Sequence, residues 1–167
     1  MKIADAKKLY TAIGYIVSKW GFIETYCSMT TNTLYENSSL PKKPGRIPKF
    51  ADQQYRFVLC CLYDCAELRP IKVEGESLIN ETKTQNDMRQ YFVHSALRTE
   101  PVRDQVYAFV RLDAKDIDHQ ATDWEFDLKT FPDLELDLHR LSDAWFLFAE
   151  KVIHTYEAPS QSPSKPR

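Results

Sequence analysis

Four histidines, His94, His119, His139 and His154, are the side chains of this 167-residue sequence best suited to moving protons near neutral pH. Three of them read as surface residues. His119 falls in a polar connection. His139 is expected in the first turn of a helix, where a positive charge opposes the dipole, and His154 near the far end of that helix, where a cation is favoured. His94 differs because of its neighbours in NDMRQYFVHSALR, residues 86–98. On a regular helix Arg89, five residues earlier, lies roughly 140° around from His94, so the two do not share a face. Gln90, one turn before His94, does share it and is placed to hold the imidazole in one tautomer. Phe92 points about 200° away, toward the expected core, so His94 faces outward.

Most other catalytic signatures are missing. The sequence has no glycine-rich dinucleotide or phosphate loop, no G-x-S-x-G and no H-E-x-x-H. Glu135 with His139 and Glu150 with His154 are each spaced one residue too far for the Glu-x-x-His pairs of a di-iron bundle. Cys27, Cys60, Cys61 and Cys65 contain no C-x2-C and read as free buried thiols rather than a zinc site or a disulfide framework. Neither a metal nor a cofactor is expected. A second chemistry-bearing cluster lies in NSSLPKKPGRIP, residues 37–48, where Lys42, Lys43, Arg46 and the following Lys49 have no acid among them. Such a loop is either a phosphate-contacting surface or a solvated basic linker.

The elements that position these residues follow from apolar periodicity. Leu9, Ile13, Ile16, Trp20, Ile23, Cys27, Thr30 and Leu34 recur at three- and four-residue steps, predicting one long helix over about 3–36 with Tyr10, Val17 and Tyr26 widening its stripe. Gly14 and Gly21 share nearly one face of it and suit close approach by another helix. Three prolines and a glycine then force the basic loop. A second helix is expected over about 50–67, closed by Arg69-Pro70, and a third over about 74–97, stopped at Glu100-Pro101. The period changes to two at Val106–Leu112 and again at Trp124–Leu128, predicting an antiparallel hairpin over about 104–130. A final helix is expected from an N-cap at Asp137, with Leu138, Leu141, Trp145, Phe148, Val152 and Tyr156 on its buried side. The fold class is therefore mainly α: a four-to-five-helix up-and-down bundle with a β-hairpin inserted before the last helix. One domain is expected over 1–157, followed by a disordered tail over 158–167.

Charge sharpens this picture. Lys and Arg number 22 against 24 Asp and Glu, giving −2, far from the strongly basic balance of a nucleic-acid clamp. Between Asp113 and Asp137, however, nine acids and two bases leave −7, so the rest of the chain carries +5. No apolar run approaches the ~20 residues of a membrane helix, and the first ten residues lack the apolar core of a signal peptide. A cytoplasmic protein without membrane contact is expected.

A long first helix containing Trp20-Gly-Phe-Ile-Glu24, a third helix ending in Arg89-x4-His94 and a closing helix together resemble the HEPN (higher eukaryotes and prokaryotes nucleotide-binding) domain family over about residues 3–157. The resemblance implies a homodimer in which two Arg-His motifs meet across a two-fold axis. It also implies metal-independent endoribonuclease activity of toxin or defence type, with RNA as substrate and a cognate antitoxin as partner. His94 would then move protons at the ribose 2′-hydroxyl and the leaving oxygen, while Arg89 holds the phosphate. Glu24 would orient Arg89 through an internal ion pair, and Lys42, Lys43, Arg46 and Lys49 would contact RNA. The sequence departs from the pattern at Gln90, where active members commonly carry Asn, Asp or His, and at Ser95, where Gly often follows the histidine. These departures keep open a non-catalytic HEPN-like module that binds nucleotide or RNA, or serves protein assembly.

Overall fold

The structure, a computed structural model, describes residues 3–98, 100–112 and 121–157. His119, most of the hairpin connection and the tail at 158–167 lie outside the described residues. Four α-helices are described: α1 (Ile3–Asn37), α2 (Ala51–Asp64), α3 (Lys72–His94) and α4 (Phe131–Glu157). Between α3 and α4 lies a three-stranded antiparallel sheet in the order β1 (Ala96–Leu97), β2 (Val106–Leu112), β3 (Ala121–Asp127). The chain is thus mainly α with a small sheet before the last helix, as the change of period predicts. No described helix is long and apolar enough to cross a membrane.

Contacts divide the chain into two compact units. The first comprises Met1–Ile23 and Asn80–Asp143, the second Glu24–Ile79 and Ala144–Arg167. In the first, β2 is the central strand. It faces β3 in the register Tyr107↔Phe126 and Phe109↔Trp124, and β1 in the register Ala96↔Val110. Val106, Tyr107, Ala108 and Phe109 are all buried, so both faces of β2 are covered. The tight turn into β2 places Gln105 at φ 59°, a left-handed conformation that non-glycine residues seldom adopt, and closes with Val106 N–H donating to the Arg103 carbonyl at 3.0 Å.

In the second unit the α1 stripe continues through Cys27, Thr30 and Leu34, and the α4 stripe through Trp145, Phe148 and Val152, all buried. Here glycine matters at Gly75. A Cβ at this position would lie 2.6 Å from Leu62 Cδ1 and 2.7 Å from Phe148 Cζ, so only the missing side chain lets α3 pack this closely on both neighbours.

Several boundaries differ from the periodicity reading. α2 stops at Asp64, and a 3-10 helix over Ala66–Ile71 carries Pro70 straight into α3, because the φ that proline enforces suits a first turn. α3 ends at His94 rather than Leu97, since Ala96 and Leu97 are taken up as an edge strand on β2. α4 begins at Phe131, with Pro132 in its first turn, so Asp137 is an interior residue and not the N-cap. Asp127 plays the capping part instead, accepting from Lys129 N–H at 3.0 Å at the start of a 3-10 turn over Leu128–Thr130. On α1, Tyr10 is 60% exposed and Val17 42%, outside the buried stripe. Beyond their chain neighbours and the backbone of their own helix, no described atom lies within 4 Å of a Cβ built on Gly14 or Gly21, so those glycines serve no close approach by another described helix.

Candidate active site and a basic groove

The segment Arg89–His94 forms the last turns of α3, inside the first compact unit. Its central pair is fixed by aromatic packing. The Phe92 ring meets Phe109, Trp124 and Phe126 edge-on at centroid distances of 4.9, 5.1 and 5.0 Å, and the Tyr91 ring stacks on Trp124 at 5.4 Å. Edge-to-face packing of this kind adds to the burial of the rings, and four ring contacts to three partners on two strands leave the helix end little freedom to turn. The helix terminates where Ser95 N–H donates to the Tyr91 carbonyl at 3.2 Å.

With Phe92 turned into the rings, His94 is exposed at the final residue of the helix, as its angular position predicts. Its partner is Arg89. The guanidinium Nη1 approaches His94 Nε2 at 3.4 Å, although the two Cα positions face different ways around the helix. The reach of a four-bond side chain closes the gap that backbone angles leave open. An arginine only donates, so a hydrogen bond across this contact needs Nε2 as its acceptor. Gln90, expected to hold the imidazole, is half-buried, and its side chain makes no hydrogen bond to a described residue. The orienting contact therefore comes from Arg89. Glu24 is half-buried on α1, within the second unit.

The other described histidines have ordinary surface partners. Because α4 begins early, His139 lies in its third turn rather than its first, between Lys19 Nζ at 2.8 Å from Nδ1 and Asp143 at 3.4 Å from Nε2. His154 lies 3.9 Å from Glu157. Among the described residues no three His, Cys, Asp or Glu side chains group as a metal site.

The basic loop belongs to the second unit, and there it forms one wall of a groove of about 670 Å³ whose other wall is α2. Lys42, Lys43, Arg46 and Lys49 line it, joined by Arg56 from α2, while Leu40, Pro44, Ile47, Pro48 and Phe57 form an apolar floor. Phe50, 72% exposed, stands at its edge. Arg56 is a cation that composition did not single out. It lies seven residues beyond Lys49 on a helix, and the Phe50, Gln53, Phe57 and Cys60 spacing was the signal for a groove-facing side.

Hydrogen bonds hold the loop in place. Lys43 Nζ donates to the Tyr35 carbonyl at 2.8 Å and the Glu36 carbonyl at 3.5 Å, satisfying acceptors that the end of α1 leaves open. Tyr35 Oη donates to the Pro44 carbonyl at 3.0 Å, and Gln54 Nε2 to the Pro48 carbonyl at 3.4 Å. At the loop's start, Glu67 accepts from Ser39 N–H at 3.0 Å, Ser39 Oγ at 2.9 Å and Tyr156 Oη at 3.1 Å. Burial pushes the Glu67 carboxyl up. These hydrogen bonds, with one from its own backbone N–H, outweigh that and hold it below the usual glutamate value. Tyr156 is raised by burial and by its bond to Glu67.

Of the four free cysteines, Cys27, Cys61 and Cys65 are buried. Burial pushes the thiols of Cys27 and Cys61 up to about 12, so neither is a thiolate at neutral pH. Cys60 departs from the expectation of buried thiols: it is exposed and lines the groove. No protein-family model, curated protein or solved structure matches this chain.

Proposed function

We propose that this chain is a HEPN-like homodimeric endoribonuclease of toxin or defence type that works without a metal, using Arg89 and His94 from both subunits. The observation that carries the reading is the pairing of an arginine Nη1 with an exposed histidine Nε2 at 3.4 Å on a helix end locked by aromatic rings. An outward pair on one chain is available to a second copy, and RNA would lie in the cleft between two such pairs.

In this reading Nε2 of His94 takes the proton of the ribose 2′-hydroxyl. The 2′-oxygen bonds to phosphorus, the bond from phosphorus to the 5′-oxygen breaks, and an imidazolium returns a proton to that leaving oxygen. The products are a 2′,3′-cyclic phosphate and a 5′-hydroxyl. Arg89 swings from the imidazole to the non-bridging phosphate oxygens and neutralises the charge that builds there.

Gln90 and Ser95, which depart from the family's usual motif, favour a second reading in which the same surface binds RNA, a nucleotide or a partner such as an antitoxin without chemistry. Incubating the purified chain with single-stranded RNA in EDTA separates the two. Cleavage by the native chain and its loss in His94→Ala are expected. Intact RNA with the native chain, or equal cleavage by the variant, rejects the catalytic reading.

A further inference from the structure

The groove between the basic loop and α2 carries an inference that does not depend on Arg89 and His94. Lys43 is taken up by the end of α1, but the other four of its five cations have no acidic partner among the described residues. Lys42, Arg46, Lys49 and Arg56 form no ion pair with a described residue, whereas Arg98, Arg103, Lys129, Arg140 and Lys151 all do. Four free positive charges on two walls, with no acid among the lining residues, set up a field that attracts an anion. The walls are preformed, since Lys43, Pro44 and Pro48 are each tied by a hydrogen bond to a helix. A ligand therefore does not have to order the loop when it binds.

The floor decides the class of ligand. Single-stranded RNA is held by a charged track along which successive bases stack on several exposed rings. This groove offers one exposed ring, Phe50, and otherwise aliphatic and proline surface around Ile47 and Pro44. Apolar contact surface framed by basic residues fits side chains such as leucine or phenylalanine carried on an acidic backbone segment. We infer that the groove docks an acidic peptide segment of a partner protein, with apolar anchors on the floor and carboxylates against Lys42, Arg46, Lys49 and Arg56.

Fluorescence anisotropy with the full chain tests this. The probes are a labelled peptide of about twelve residues alternating Glu with Leu and Phe, a polyglutamate of equal charge, and an oligouridine of similar length. The Glu/Leu/Phe peptide is expected to bind most tightly, and to weaken about tenfold or more in the Lys49→Glu, Arg56→Glu double variant and in Phe50→Ser. Both sets of changes are at exposed positions, and an unchanged thermal transition would show that the fold is kept. Cys60 gives a second readout in the unaltered chain, because it is the exposed thiol among the four: bound peptide should slow its alkylation. Failure of the peptide to bind, equal binding by polyglutamate, binding unaffected by the variants, or unprotected Cys60 would each overturn the inference. Tighter binding of oligouridine with the same sensitivity to the variants would make the groove an RNA contact and overturn it too.

Discussion

The cations on the sheet and those on the loop are treated in opposite ways. Beside the sheet, Arg98 meets Asp123 at 2.7 Å, Arg103 meets Glu125 at 3.1 Å and Lys129 meets Asp104 at 3.2 Å. On the loop, Lys42, Arg46 and Lys49 meet no acid among the described residues, and Lys43 is spent on the end of α1. The acidic stretch of the sequence is thus partly discharged by bases beside it, while three of the loop's four cations have no such partner among the described residues. Local pairing, rather than charge summed along a segment, decides where a field reaches solvent. The supports differ as well. Apolar rings hold the sheet end of α3, and hydrogen bonds to carbonyls and to one carboxylate hold the loop.

The difference can be broken most forcefully at Phe92. Phe92→Ala removes a buried ring from three aromatic neighbours and is expected to cost about 3–5 kcal/mol, measured by denaturant unfolding. A loss under about 1 kcal/mol would mean that the rings do not secure the motif.

The loop's support is sensitive to pH in a definite direction. The folded pKa of Glu67 is depressed, so its contribution is complete above the unfolded value of about 4.3 and is lost as pH falls through the folded value. Native chain should therefore lose more stability than Glu67→Gln on acidification below that point, read from thermal melts at stepped pH. Parallel curves would remove Glu67 as the pin.

Within the loop, Lys43 and Lys42 should separate. Lys43→Met is expected to cost about 0.5–1.5 kcal/mol through the lost bond to the Tyr35 carbonyl, and Lys42→Met close to nothing. The sheet's ion pairs are expected to matter little as well. Arg103→Ala, at an exposed position, should change stability by about 0–1 kcal/mol, shrinking further in high salt.

Periodicity located the helices well wherever a long apolar stripe is buried, as on α1 from Leu9 to Leu34 and on α4 from Leu138 to Val152. It misplaced the ends where a short-range feature competes. Pro132 fits a first helical turn at no cost in hydrogen bonds, and Ala96 and Leu97 join a strand whose partner lies more than ten residues away. Outward placement of His94 was legible from the angle it makes with Phe92. Its contact with Arg89 was not, because helical angles locate Cα–Cβ bonds and not the end of a flexible side chain. For the groove, four cations were visible in the composition of one loop. Arg56, the apolar floor and the diversion of Lys43 to a helix end required the fold.

The central claim concerns His94 and the ribose 2′-hydroxyl, and one cleavage assay in EDTA addresses both. Native chain and His94→Ala are each given an RNA oligonucleotide and its all-deoxy counterpart. Cutting of the RNA alone, by native chain alone, leaving 2′,3′-cyclic phosphate ends, is the predicted result. Cutting of the deoxy strand, undiminished cutting by His94→Ala, or no cutting of RNA by native chain would contradict it.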